Sequence, residues 1–164
     1  MTTNRSPYLN IPTRLADVIS AIQAMGTYSR YKLAFAQWAD KITADSSKAD
    51  YWRKIFIEHP EFFRLDGEQE KASLVWRRQR PRRYNPKTNL TVTTEEYDCL
   101  SDVERQDFSR EPLSPSDIKT LIDTAINLHS RALATQSDRR WWLPLVPAVI
   151  ALVGALVGAL LKSK

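Results

Sequence analysis

The sequence predicts a mainly helical protein with one small β-hairpin, a long amphipathic helix behind it and a single transmembrane helix near the C-terminal end. Three observations carry this expectation. Apolar residues recur at helical spacing through residues 12–58 and again through 114–140. Between these stretches the period changes, where two short apolar runs flank a polar turn containing Asp66-Gly67. Finally, "WWLPLVPAVIALVGALVGALL", Trp141 to Leu161, is 21 residues without a charge. As a helix it would rise roughly 30 Å, about the thickness of a bilayer's hydrocarbon core.

Taken in order, residues 1–11 form a polar arm. "MTTNRSPYLN" lacks the apolar stretch of a signal peptide, so none is expected. A first helix is expected over Pro12–Met25, with Leu15, Val18, Ile19, Ile22 and Met25 on one stripe. Pro12 suits a first helical position and Gly26 a C-terminal stop. After Thr27 a second helix places Tyr31, Ala34, Phe35, Trp38 and Ile42 on one face. A third opens at "SKAD", where Ser47 and Asp50 have capping-box spacing. It turns Trp52, Ile55 and Phe56 inward and stops at His59-Pro60, because the residue before proline is pushed out of the helical region. "EFFRL" and "ASLVWRR" then read as two strands around the turn "DGEQEK". Three helices followed by such a hairpin resemble a winged helix, and "ADYWRKIFIEHPEFFRLDGEQEKASLVWRR" is similar to its third helix and wing. The resemblance covers residues 12–83. It implies that the third helix and the wing form the contact surface.

Residues 84–113 read as a connector that begins within the basic stretch "RPRRYNPKTNLTV" (residues 80–92) and is acidic afterwards, with a short helix capped by Ser101 and Glu104. The long helix over 114–140 has Ser114 as N-cap, Pro115 at its first position and Asp117 closing the box. Ile118, Leu121, Ala125, Leu128 and Ala132 follow the spacing of an a/d seam, which serves either a coiled coil or packing on the chain's own domain. The apolar run 141–161 is followed by 162–164. Gly154 and Gly158 make a G-x-x-x-G pair with Ala151 and Ala155 beside it, a pattern that allows two transmembrane helices to approach closely. The topology expected is one membrane span with residues 1–140 in the cytoplasm. The single Cys99 excludes an intramolecular disulfide framework.

Charge supplies the candidate binding residues. The 164-residue chain carries a formal net charge of +5, with net +5 over residues 46–90 and net −6 over 91–130. Arg77, Arg78, Arg80, Arg82 and Arg83 fall within seven positions, and Lys48, Arg53 and Lys54 lie on outward positions of the third helix. Together they form a candidate polyanion site with three candidate partners: nucleic acid, anionic lipid, or the acidic block of the same chain. Catalytic and metal sites are not expected. The two histidines, His59 and His129, and the one cysteine show no ligand or nucleophile spacing, no phosphate loop is present, and no cofactor or small-molecule substrate is indicated. The function expected is that of a non-enzymatic, tail-anchored membrane adaptor or regulator with a protein partner or self-association. The alternatives are a membrane-tethered DNA-binding regulator and a small membrane-perturbing effector.

Overall fold

A computed structural model describes residues 6–138 together with Pro147 and Ala151. It shows a mainly helical protein with a small antiparallel sheet. The expected span over 141–161, with Gly154, Gly158 and Ala155, otherwise lies outside the described residues. No helix among the described residues is long and apolar enough to cross a membrane.

The first helix, α1 (Arg14–Thr27), buries Val18, Ala21, Ile22 and Met25, close to the expected stripe. Gly26 is not its stop. It lies inside the last turn, and a Cβ there would sit 3.0 Å from Cγ1 of Ile118. The glycine permits a close approach of the later helix rather than a left-handed cap. The second helix starts later than expected. Lys32–Ala34 form a strand, β1, and α2 (Phe35–Thr43) follows, with the Gln37 carboxamide oxygen accepting the Ala34 amide at 3.1 Å. This helix ends at Ala44, whose φ of 54° is left-handed.

The box expected between Ser47 and Asp50 does not form. Asp45 accepts from the Ser47 amide at 3.0 Å and starts a 3-10 turn, Ser46–Lys48, that leads into α3 (Ala49–Glu58). The helix stops before Pro60 as the sequence predicts, with the His59 amide closing on the Ile55 carbonyl.

The expected hairpin is present as β2 (Phe63–Leu65) and β3 (Lys71–Leu74). Its registers are Phe63 opposite Leu74 and Leu65 opposite Ala72. The unexpected β1 pairs with the other edge of β3, Leu33 opposite Ala72, which gives the sheet order β1-β3-β2. The second strand is shorter than "ASLVWRR": from Val75 the chain coils into a short helix, α4 (Val75–Gln79). The connector also holds a two-residue ladder, β4 (Tyr84–Asn85) with β5 (Leu90–Thr91), and two short capped helices, α5 (Thr94–Asp98) and α6 (Asp102–Asp107). The Ser101–Glu104 box forms as expected.

The long helix α7 (Pro115–Asp138) begins with the expected reciprocal box. The Ser114 amide donates to Asp117 at 3.2 Å, and the Asp117 amide to Ser114 Oγ at 3.1 Å. Its seam is used inside the chain. Leu121 and Ala125 are buried, and Ile118 and Leu128 pack against the same core as α1. Trp38, Trp52, Phe56, Phe62 and Phe63 fill that core, and the Trp38 indole donates to the Ala72 carbonyl at 2.9 Å. A body of this size needs such large side chains to bury enough apolar surface. Trp76 lies outside this core and is 36% exposed.

Candidate functional site

The arginine run begins where the hairpin ladder ends. The Val75 amide makes the last bond, to Phe62 O, and the α4 turn then faces Arg77 inward. Its side chain is fully buried, against the expectation that the cluster projects into solvent. The physical reason lies in α1. The C-terminal turn of a helix leaves carbonyls without intrahelical donors and carries partial negative charge. The Arg77 guanidinium donates to the carbonyls of Met25 at 2.9 Å and Tyr28 at 2.6 Å, and also to that of Arg110. Longer contacts reach Ser29 and Arg30. Burial pushes its pKa down to about 10, still far enough above neutrality for the group to stay charged.

The remaining arginines also have partners within the chain. Arg80 pairs with Asp117 at 2.7 Å and Glu111 at 3.4 Å, and donates to Pro112 O at 2.8 Å. Arg82 donates to the carbonyls of Phe108 at 2.8 Å and Gln106 at 3.0 Å. Arg83 donates to Thr94 Oγ1, and Arg78 to Leu65 O at 3.3 Å. Downstream, Lys87 pairs with Asp107 at 2.5 Å. Arg77, Arg80, Arg82 and Arg83 thus each contact residues within the acidic segment 91–130 of the same chain. Arg78 and Arg82 keep exposed surface, whereas Arg80 and Arg83 are half-buried.

Lys48, just before α3, and Arg53 and Lys54 on it are exposed but engaged. Lys48 lies 3.7 Å from Asp45 and Lys54 3.9 Å from Glu58, while Arg53 stands over the Phe35 ring at 5.9 Å. Such exposed pairs contribute little to stability, yet they lower the free positive charge on the helix. The β2–β3 turn carries Asp66, Glu68 and Glu70. The Asp66 carboxylate accepts the amides of Glu70 and Lys71 at 3.0 and 3.1 Å. Burial would raise its pKa, but these backbone bonds bring it below the usual aspartate value. On α3, Ile57 and Tyr51 are exposed, at 47% and 37%, and the Tyr51 hydroxyl donates to Asp17 of α1 at 2.6 Å.

Both histidines belong to a polar clasp that periodicity does not reveal. His59 is buried, with Nδ1 3.0 Å from Glu61 Oε1, and the Tyr8 hydroxyl donates to the same oxygen at 3.2 Å. Tyr8 stacks 4.5 Å from the His59 ring and meets the His129 ring edge-on at 6.0 Å. Desolvation is the largest single influence on the Glu61 carboxyl and would raise its pKa, but the hydrogen bonds from His59, its own backbone and Tyr8, with the charge of His59, together bring it below its ordinary value. The Tyr8 phenol is pushed up, mainly by burial. The clasp fastens the arm to the end of α3 and to α7. Among the described residues no group of three or more His, Cys, Asp or Glu is arranged to hold a metal ion, and Cys99 is exposed. No protein-family model, no curated protein and no solved structure matches the chain.

Proposed function

We propose that this chain is a non-enzymatic, membrane-tethered interaction module whose partner is a protein. The element order α1-β1-α2-α3-β2-β3 with sheet order β1-β3-β2 supports reading residues 12–83 as a winged-helix-like body, in which α3 and the β2–β3 turn form the exposed contact surface. The uncharged run Trp141–Leu161 supports attachment to a bilayer.

One observation favours protein over nucleic acid: the wing turn is acidic. A winged helix on DNA sets its wing against phosphates, where cations are required. Here that position carries Asp66, Glu68 and Glu70, and the cations of α3 already face Asp45, Glu58 and Phe35. The exposed Tyr51 and Ile57 are the kind of amphipathic and apolar groups that anchor protein interfaces.

The test measures both partners on the full chain in detergent. Anisotropy of a labelled duplex should show no tight binding that weakens steeply between 50 and 200 mM salt, the behaviour that phosphate contacts impose. A photocrosslinker at Tyr51 in native membranes should capture a defined protein, and Ile57→Lys should abolish that capture. Salt-sensitive duplex binding that disappears in a Lys48→Gln, Arg53→Gln, Lys54→Gln variant would replace this reading with a DNA-binding one.

A further inference from the structure

Beside β1 lies a groove of about 500 Å³ that the sequence does not foreshadow. Its walls come from separate parts of the chain: β1 with the residues on either side of it, the start of β3, and the segments around Arg82 and Ser109. Long-range bonds hold these walls in place. The Tyr31 amide donates to Ser109 Oγ at 3.0 Å, and Arg82 Nε donates to Phe108 O at 2.8 Å. The concavity is therefore built by the fold rather than by one flexible loop.

Four cations line it, Arg30, Lys32, Lys71 and Arg82, and no carboxylate does. Their partners leave charge available. Arg30 and Lys71 are exposed and make no ion pair or side-chain hydrogen bond among the described residues. Lys32 has only a long contact with Asp66, at 3.8 Å. Arg82 is held through Nε and one terminal nitrogen, which leaves its other terminal nitrogen for a ligand. Gln37 accepts the Ala34 amide through its oxygen, so its two N–H donors lack a partner among the described residues.

We propose that this groove is a binding site for a phosphate-bearing ligand. Asp66 beside Lys32 and Lys71, and Asp107 beside Arg30, offset part of this charge from outside the groove, but the lining itself is cationic and favours a polyvalent anion. A carboxylate supplies one negative charge, whereas a phosphate monoester supplies nearly two, with three acceptor oxygens. Guanidinium and amide donors beside lysines match those oxygens. The volume falls in the usual range for a small-ligand site. A duplex, in contrast, needs cations spread along an extended face. The phosphate can come from a soluble ester or from a lipid headgroup, and the two sources are separable by experiment.

The test is calorimetric titration of the full chain in zwitterionic micelles with two probes, inorganic diphosphate and water-soluble dihexanoyl phosphatidic acid. Dihexanoyl phosphatidylcholine, a phosphodiester neutralised by its choline, serves as the zwitterionic control. At least one phosphate probe should bind saturably, and whichever binds identifies the source. Arg30→Gln with Lys71→Gln should weaken that binding by about tenfold or more, because two charge-assisted contacts are lost. Both side chains are exposed, so near-UV circular dichroism should be unchanged. Lys48→Gln with Arg53→Gln removes the same charge from two residues, one just before α3 and one on it, that do not line the groove and should leave the affinity within about twofold. Failure of both phosphate probes to saturate would overturn the proposal, as would an equal loss in the α3 variant.

Discussion

Replacing Arg77 with methionine keeps much of the side chain's volume and removes the guanidinium. Three close carbonyl acceptors, on Met25, Tyr28 and Arg110, then lose their donor in a region where Arg77 itself has no solvent exposure. A buried carbonyl deprived of its partner costs about 1–3 kcal/mol, and water can reach the part-buried carbonyls of Tyr28 and Arg110, which favours the low end for those two. The expected loss is about 3–5 kcal/mol, a large fraction of the roughly 5–15 kcal/mol that holds a domain folded. Urea denaturation of a chain ending at Asp138 reads it directly. With a denaturant slope of about 1.5 kcal/mol per molar, the midpoint should fall by about 2 M or more. Arg77→Lys should recover only part of the loss, since an ammonium cannot reach all three carbonyls from one position. A loss under about 1 kcal/mol for Arg77→Met would refute the reasoning and mean that water satisfies these carbonyls as well as arginine does.

Gly26→Val should destabilise by about 1–3 kcal/mol in the same assay, because Ile118 already stands where the new carbons would go. Ala44→Gly should stabilise by roughly 0.5–1 kcal/mol, since glycine adopts the left-handed φ of 54° without the Cβ penalty. The Ser114 hydrogen bonds hold the Asp117 carboxyl below the usual aspartate pKa, with Arg80 assisting. A depressed folded pKa means that the unfolded chain binds protons first as pH falls. The stabilisation is therefore complete above the unfolded pKa of about 4 and is lost as pH drops through the folded value. Stability measured from pH 5 to 2.5 should fall less steeply for Asp117→Asn than for the parent chain.

The features legible in the sequence were local ones. The stripe of α1, the stop at His59-Pro60, the hairpin around Asp66-Gly67 and the reciprocal box at Ser114 and Asp117 each lie within a few residues, where spacing carries the information. The missed features depend on distant partners. Three residues of β1 offer no period to detect, and Leu33 is a strand residue only because Ala72 lies opposite. Arg77 is indistinguishable from its neighbours in the run until α1 presents carbonyls above it. The β1 groove draws cations from residues 30 to 82, so no window of sequence contains it. The basic run is contiguous, yet most of its donors close contacts inside the chain, while Arg30 and Lys71, isolated in sequence, make no ion pair or side-chain hydrogen bond among the described residues.

The docking of α7 also fixes a direction. Its first half is part of the core through Ile118, Leu121 and Ala125, and the helix continues without interruption to Asp138. Its 24 residues extend about 36 Å at 1.5 Å per residue. The body and Asp138 are thus joined by a stiff shaft, and the azimuth at which Asp138 stands is set by helical phase. Inserting one residue after Leu133 would leave the core intact yet turn whatever follows by about 100°. Inserting a further residue would turn it about 200° in all, and seven would nearly restore the original bearing at a height about 10 Å greater. If orientation toward a neighbour matters for this protein, activity should vary with the number of inserted residues in that rhythm rather than decline steadily with length.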